Sequence, residues 1–486
     1  MRYLVVLMKR SSAILSLLVG LMMFYFGYEI IFIFPRLPPS ALLLNTLLIA
    51  FEILTAIFSV YLYHSILATL EWPSVVHGKL AKRHFVSIHI PVYNESMGVL
   101  KKTIAGVKNQ DYPKNRYEII IADDSTDTKF LKKLEKFCHL NSIKIVHRSH
   151  RKGYKAGALN EALKHSHGDV IAVLDADDIP EKTFLSHTVE TLYSDSKVAF
   201  VQTRNAERND YVNAVTGVGR MIRDLFFGAI MKSKDTRRLG IFCGSGGVIK
   251  KNILKKMGGW PEETVTEDID LSTKIFATGL YSKYINPVEC RGLLPKSFTG
   301  LCGQTFRWSY GTTHTFLLRW RDALRIPGWW RKIEHFLSLT TYSLGPAIIG
   351  IDLIMIVHLM FKIPIFHVYE IKTFWLFGAL FTLSAFLALL FVQLQDGKVS
   401  IKRIISYLLV IYGLSFNFTL GVASAITGRR LAFFRTPRFS HKKNYKALAR
   451  RYWPETLLGS VSIAAGLLNV LDPLYAAQAG WVILFG

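Results

Sequence analysis

Apolar positions crowd the two ends of the chain. Ile14 to Phe34 is an apolar run with Glu29 its one charged residue, and Ala41 to Tyr63 is another, interrupted by Asn45 and Glu52. A membrane-crossing helix needs about 20 such residues, so each run is long enough to cross. Pro35-Arg36-Leu37-Pro38-Pro39 between them predicts a tight turn and a helical hairpin. Intramembrane carboxylates are functional candidates, but for Glu29 and Glu52 polar packing contacts are the simpler reading.

From about Lys79 to Trp320 the pattern changes. Phe85 to Pro91, Tyr117 to Ala122, Ile143 to Arg148 and Val170 to Asp175 are short runs rich in β-branched residues. Leu131 to Leu140 and Gly157 to His165 have helical periodicity. Strands alternating with helices predict an α/β domain with a mostly parallel sheet covered on both faces. Ligands of such sheets bind beyond the carboxyl ends of the strands, where the acids of this chain fall.

After Trp320 come pieces rich in Trp and Arg (Trp329, Trp330, Arg331), suited to a membrane interface. Leu337 to Leu359, which carries Asp352, and Phe374 to Leu394 read as crossings. Ile404 to Ile426 is long enough for a third. Crossing there, however, would put the nine basic residues between Arg429 and Arg451 on the outer side, with no acid before Glu455. Positive residues favour the inner side, so this segment is read as interfacial or re-entrant. Leu457 to Phe485 predicts a last hairpin broken at Asp472-Pro473. The chain thus divides into an N-terminal transmembrane hairpin (1–78), a soluble domain (79–320) and interfacial and transmembrane helices (321–486), with six crossings and both termini inside.

The formal net charge of +25 over 486 residues calls for an anionic partner, either lipid headgroups or a phosphorylated substrate. Nucleic acid is disfavoured because the basic residues cluster beside membrane segments. Cys138, Cys243, Cys290 and Cys302 lack zinc spacing, which suits a reduced cytosolic domain. Arg2, Lys9 and Arg10 before the first apolar run resemble a signal peptide. The run is too long for one and a second follows, so a retained anchor is expected.

The chemistry lies in short segments. Tyr93-Asn94-Glu95 follows the first strand, and Asp123-Asp124 ends the second; carboxylates there can accept hydrogen bonds from a base or ribose, although turns also use Asp for backbone capping. Asp175-Ala176-Asp177-Asp178 sets two acids two residues apart, where both can face one Mg²⁺ or Mn²⁺ ion. Lys155 opens a helix, a good position for holding phosphate. Phe242-Cys243-Gly244-Ser245-Gly246-Gly247 is a turn whose backbone can approach a sugar closely. Thr266-Glu267-Asp268 starts an amphipathic helix; Thr266 would be an ordinary N-cap, or Asp268 a general base taking a proton from an acceptor hydroxyl. Gln304, Arg307 and Trp308 share one helical face, offering diphosphate ligands and a flat apolar platform, or alternatively a Trp-Arg membrane anchor.

In this order, Asp123, Asp175-x-Asp177, Thr266-Glu267-Asp268 and Gln304-x-x-Arg307-Trp308 resemble the processive branch of family-2 glycosyltransferases: cellulose, hyaluronan, chitin and mannan synthases. Lys155-Ala156-Gly157, Val201-Gln202-Thr203, the Phe242 turn and Gly258-Gly259-Trp260 extend the likeness, which covers about residues 85–320. Phe434-Arg435-Thr436-Pro437-Arg438 resembles a cellulose synthase gating loop, with Arg435 and Arg438 as departures. Asp178 stands where cellulose synthases often have histidine. The resemblance implies a nucleotide-sugar-binding fold of the GT-A type inserted between transmembrane regions. It implies a donor, UDP- or GDP-sugar, held by Tyr93, Glu95, Asp123, Asp124, Lys155, Asp175, Gln304 and Arg307. Asp175 and Asp177 would hold the metal, Cys243 and Trp308 would meet the acceptor, and Asp268 would be the base. The product would be a β-linked polysaccharide made by inversion on the cytoplasmic face of the plasma (inner) membrane. Single transfer to a polyprenyl phosphate or other lipid is the alternative. A transporter or channel housing a degenerate sugar-binding domain would not need the whole acid series.

Overall fold

A computed structural model of the chain describes residues 26–70, 84–209, 212–365, 399–428 and 445–485, with isolated positions elsewhere. These residues fall into two compact units, one of helices before residue 71, from 341 to 424 and beyond 438, the other centred on residues 71–340 and including 425–428.

The central unit is built on one eight-stranded sheet. Its strands are β1 (Val86–Val92), β2 (Tyr117–Asp123), β3 (Lys144–His147), β4 (Val170–Val173), β5 (Ile179–Pro180), β6 (Val198–Glu207), β7 (Gly247–Lys250) and β8 (Tyr281–Gly292). They lie in the order β3-β2-β1-β4-β7-β6-β8-β5. β1 to β4 are mutually parallel, and β6 and β8 run the same way; β7 and β5 are reversed. The mostly parallel sheet read from the sequence is present, with two antiparallel insertions.

Both faces of the sheet are covered because its central strands are apolar on both sides. On one face Val86, Ile88 and Ile90 meet Leu100 and Ile104 of the helix Met97–Lys108, Leu134 of Thr128–Leu140 and Phe184 of Phe184–Leu192. On the other, Ile171, Val173 and Phe200 meet Leu159 of the helix Tyr154–Lys164, Leu254 of Lys251–Lys256, and Leu271 and Phe276 of Glu267–Ala277. Trp260 closes this second core, 5.4 Å from the ring of Phe242. Burying each such aromatic contributes about 1.5–3 kcal/mol. The two cores fix the helices whose first turns reach the strand ends.

The helical unit gathers Pro39–Leu70, Leu344–Phe361, Tyr445–Asn469 and Ala476–Phe485 around Leu48, Met355, Leu359, Ala465 and Val482. A 3-10 turn at Phe34–Arg36 leads into the first of these, as the proline run predicts. The last two helices break around Asp472-Pro473, although the first of them begins at Tyr445 rather than at Leu457, because nothing between Tyr445 and Trp453 stops a helix. Asp352 is buried and accepts a hydrogen bond from Ser462 Oγ at 3.0 Å. Among the described residues three helical stretches, Pro39–Thr69, Trp329–Phe361 and Ile401–Ile426, are long and apolar enough to cross a membrane by length and composition. Most of Phe374 to Leu394, and all of Phe434, Arg435, Thr436 and Arg438, lie outside the described residues.

Candidate active site at the strand ends

β1 and β2 finish side by side, with Val92 opposite Asp123, and β3 brings His147 opposite Asp123 in turn. Asn94 adopts a left-handed φ of 48°. Its side-chain oxygen accepts from the backbone N–H groups of Thr126 and Asp127, which ties the two strand-end loops together. Asp123 is fully buried; it accepts from Ser125 Oγ at 2.6 Å and pairs with His147 Nδ1 at 2.7 Å. Asp124 is held differently. Both of its oxygens are taken by Arg148, Nε at 2.7 Å and Nη2 at 2.6 Å, in a buried two-pronged ion pair. Arg148 also donates to the carbonyls of Lys152 and Tyr154, so this pair anchors the approach to the helix Tyr154–Lys164. Tyr93 carries the Arg151 guanidinium over its ring, and Glu95 follows it in the same loop.

Asp175 and Asp177 sit in the turn after β4. Lys155, in the first turn of its helix, places Nζ 2.7 Å from Asp175 Oδ1 and 2.9 Å from the carbonyl of Gly244. Asp177 is buried, and its Oδ2 accepts from Leu293 N–H at 2.9 Å. Asp178 lies behind them, bonded to Ser245 Oγ. Burial, with the charges of Asp177 and Asp175 beside it, pushes the Asp178 carboxyl up to about 7. Gly292 backs this group so closely that a Cβ there would stand 2.5 Å from Asp178 Oδ1.

Gly244 is the point of convergence. Its φ is +72°, and a Cβ built on it would meet Asp268 Oδ2 at 3.0 Å, Lys155 Nζ at 3.3 Å and Glu267 Oε1 at 3.6 Å. A side chain would thus be strained by the backbone and would crowd all three groups. Gln202, buried on β6, holds the turn in shape: its Oε1 accepts from Cys243 N–H, and its Nε2 donates to the carbonyls of Ser245 and Gly246. Burial, reinforced by Asp268, keeps the Cys243 thiol well above its usual range and therefore neutral.

Thr266 precedes the helix Glu267–Ala277 without capping it; its hydroxyl faces that of Thr315 at 3.2 Å. The N-cap reading of Thr266 is therefore replaced by a contact with the next helix, Phe298–Arg325. Burial, then the charge of Glu267, pushes Asp268 up to about 7, with Lys155 opposing. Glu267 itself is raised by burial, and Lys155 and Arg307 both act against that rise. Arg307 thus brings its charge to the acid pair, from the helix that also carries Gln304 and Trp308, both half-buried.

Residues 87–258 match the family described as Glycosyl transferase family 2. That segment of the chain resembles the family-2 glycosyltransferases. The chain is 30% identical over 307 residues to the cellulose synthase catalytic subunit [UDP-forming] of Pseudomonas fluorescens, covering 61% of this chain and 39% of that protein. It is 33% identical over 240 residues to a probable glucomannan 4-beta-mannosyltransferase of Oryza sativa, covering 48% and 41%. A similar enzyme of Arabidopsis thaliana is 32% identical over 249 residues, covering 49% and 56%. The chain spans about half or less of the length of these relatives. Among solved structures, the mannosyltransferase PcManGT from Pyrobaculum calidifontis, in complex with GDP-Man and Mn²⁺, superposes with a TM-score of 0.58 at 18% identity, over 80% of this chain and 100% of that one. That likeness establishes the fold. These cellulose synthase and glucomannan mannosyltransferase relatives accord with the cellulose synthase-like resemblance expected from the motifs.

In the central unit the acids expected from the motif series fall on strand ends and helix starts of one sheet edge. Gln202 and Ser245, in two of the segments singled out from the sequence, belong to this constellation; so do His147, Arg148 and Gly292, which carry no motif signal of their own. For Arg148 the cue is its place at the end of the third apolar run, one strand from Asp124. As for a cation, Asp175, Asp177 and Asp178 supply hard carboxylate oxygens crowded enough to hold one acid protonated near neutrality, a donor set that fits Mg²⁺ or Mn²⁺. Among the described residues, no group of three or more His, Cys, Asp or Glu side chains is arranged around one ion. Two carboxylates completed by substrate phosphates are the usual Mg²⁺ arrangement.

Proposed function

We propose that the chain is a membrane-bound, inverting hexosyltransferase that draws on a UDP- or GDP-sugar and extends a β-linked polysaccharide, from the cytoplasmic face of the plasma (inner) membrane. The observation that carries this reading is the convergence of Lys155, Glu267 and Asp268 on Gly244, with Lys155 bonded to Asp175. An acid for the acceptor and a cation for the donor phosphates then flank one glycine turn. On this reading the 1–78 and 321–486 helices hold the 79–320 catalytic domain at the membrane, and lipid bilayer, donor and growing acceptor are its partners.

Asp175 and Asp177 would hold Mg²⁺ or Mn²⁺, which when bound supplies positive charge to a diphosphate leaving group. Lys155, with Gln304 and Arg307, adds donors to the same phosphates. Tyr93, Glu95 and Asp123 hold the nucleoside at the β1 and β2 ends. Asp124 serves this indirectly, through Arg148. Cys243, neutral and beside Asp268, and Trp308 line the acceptor side. Asp268 takes the proton from the acceptor hydroxyl as that oxygen attacks the anomeric carbon from the face opposite the diphosphate. Inversion follows from that single displacement.

The test is incubation of the purified full-length protein with radiolabelled UDP- and GDP-sugars and Mn²⁺, followed by sizing of the product. A product that lengthens with time is expected. Transfer that stops at one sugar on a lipid defeats the polymerising reading, and no transfer from any donor defeats the enzyme reading altogether.

A further inference from the structure

Tyr93 stands just past β1, and the guanidinium carbon of Arg151 lies 3.6 Å from the centre of its ring. The same carbon is 5.5 Å from the ring centre of Tyr154. Arg151 Nε is buried and makes no hydrogen bond among the described residues. Its backbone is anchored: the Arg151 carbonyl accepts from Tyr154 N–H at 2.9 Å, and Arg148 grips the next residue's carbonyl. The backbone is fixed, then, while aromatic contact is what holds the head group, and a cation resting on a ring face is a weak tether.

A guanidinium is flat, delocalised and of the same thickness as an aromatic ring. Over Tyr93 it fills the layer that a stacked nucleobase would need. Tyr154, the other ring it touches, is adjacent in sequence to Lys155, whose ammonium meets Asp175. We infer that Arg151 is a two-position donor-binding residue: stacked on Tyr93 it closes the nucleobase layer, and displaced by the base it turns past Tyr154 to bind the donor's diphosphate. This rests on the nucleotide-sugar reading above and adds a residue to it. The exchange trades a cation–ring contact for a charge-assisted hydrogen bond, which is the stronger of the two. It also makes the slot discriminate against ligands that bring a base without phosphates, because they evict Arg151 and give it nothing to bind.

Calorimetry on the purified full-length protein with UDP, GDP, uridine and guanosine, in Mn²⁺, separates the possibilities. If the wild-type protein binds neither diphosphate, the nucleotide-sugar reading falls and this inference with it. If it binds one, Arg151→Ala should bind the matching nucleoside about threefold more tightly and the diphosphate about tenfold more weakly. Arg151→Lys keeps the charge without the flat group, so it should show the nucleoside gain with nearly normal diphosphate affinity. Should the alanine variant fail to fold, the lysine variant's nucleoside gain is the measurement. Parallel weakening of both ligands means a structural role, and unchanged affinities mean a bystander; either result overturns the inference and leaves the enzyme reading standing.

Discussion

Lys155 Nζ lies 2.7 Å from Asp175 Oδ1 and donates its other hydrogen bond to the carbonyl of Gly244. One ammonium group therefore ties the Asp-x-Asp turn after β4 to the glycine turn before β7. Burial lowers the affinity of Lys155 for its proton, but Asp175 and Glu267 outweigh it, and the group is held above the ordinary lysine range. Lys155 thus stays charged at every working pH.

Removing that charge should weaken donor use more than folding. Hydrogen bonds to charged groups contribute about 1.5–3 kcal/mol, so Lys155→Ala should lower kcat/KM for the donor by about 10- to 100-fold. Lys155→Arg, which retains the charge, should lose less. Steady-state kinetics with a thermal melt of each variant checks this; a normal kcat/KM for Lys155→Ala counts against the diphosphate role.

Asp268→Asn should abolish turnover and leave donor binding nearly intact, because an amide cannot accept the hydroxyl proton; loss of a base typically costs about 10² to 10⁴ in rate. The pH dependence follows from the same group. Asp268 is raised from 3.8 to about 7 by burial and by Glu267, and the active form is the deprotonated one. Activity should therefore be flat well above pH 7 and fall as pH drops through it. The stability contribution has the opposite sign. Between pH 4 and 7 the folded chain holds a proton at Asp268 that the unfolded chain has released, so this group's contribution falls as pH rises through that window. A pH–rate profile with its acid limb below pH 5 removes Asp268 from the role.

Asp124 and Arg148 should matter through stability. Both are buried and bonded to each other at two points, and breaking such a pair from one side typically costs about 3–5 kcal/mol. Arg148→Met should lower the melting temperature strongly. Asp124→Asn, which can keep a neutral hydrogen bond, should lower it less. Unchanged melting in both would mean that the pair is dispensable, and Asp124 would return to direct nucleotide contact.

The difference between Asp123 and Asp124 marks where sequence reading stops. The alternating strands and helices, the first four strand positions and the ordered acids were all legible, because each is a local pattern of apolar period or acid spacing. Whether an acid at a strand end faces a ligand or a neighbour depends on what the next strand delivers. Arg148 is 24 residues from Asp124, and only the pairing of β2 with β3 brings the two together. The reversed strand β7 was missed for a similar reason: four residues after a glycine turn carry too little periodicity to call. Gly292 is further still from local pattern, since β8 alone carries it to the Asp-x-Asp turn.

Gly292 gives the metal prediction a second handle. Activity should vanish in EDTA and return with excess Mn²⁺ or Mg²⁺, because Asp175 and Asp177 are oxygen donors suited to these ions. A Cβ at residue 292 would press on Asp178 Oδ1 at 2.5 Å and reach 3.7 Å from Asp177 Oδ2. Gly292→Ala should therefore cost stability, about 1–3 kcal/mol for overpacking, and should raise the Mn²⁺ concentration needed for half-maximal activity. Full activity after exhaustive chelation would sink the metal assignment.

Membrane orientation is open to a direct measurement. Ile401–Ile426 forms one helix of 26 residues, so length alone would let it span. What opposes a simple crossing is the sequence that follows. From Arg429 to Arg451 there are nine basic residues and no acid, and Lys and Arg beside membrane segments are retained on the cytoplasmic side. The proposed donor is a nucleotide-sugar, so the catalytic residues 79–320 are assigned to that side as well. If both assignments hold, the segments between Trp320 and Arg429 must cross an even number of times. The two expected at Leu337–Leu359 and Phe374–Leu394 already satisfy this, and Ile401–Ile426 must then lie at the interface or re-enter. A single cysteine introduced at Ser440, with the native cysteines replaced, should resist a membrane-impermeant maleimide added to intact cells and react once the cells are opened. Labelling in intact cells would place the basic segment outside, make Ile401–Ile426 a true span, and require a different path for the chain between residues 360 and 400.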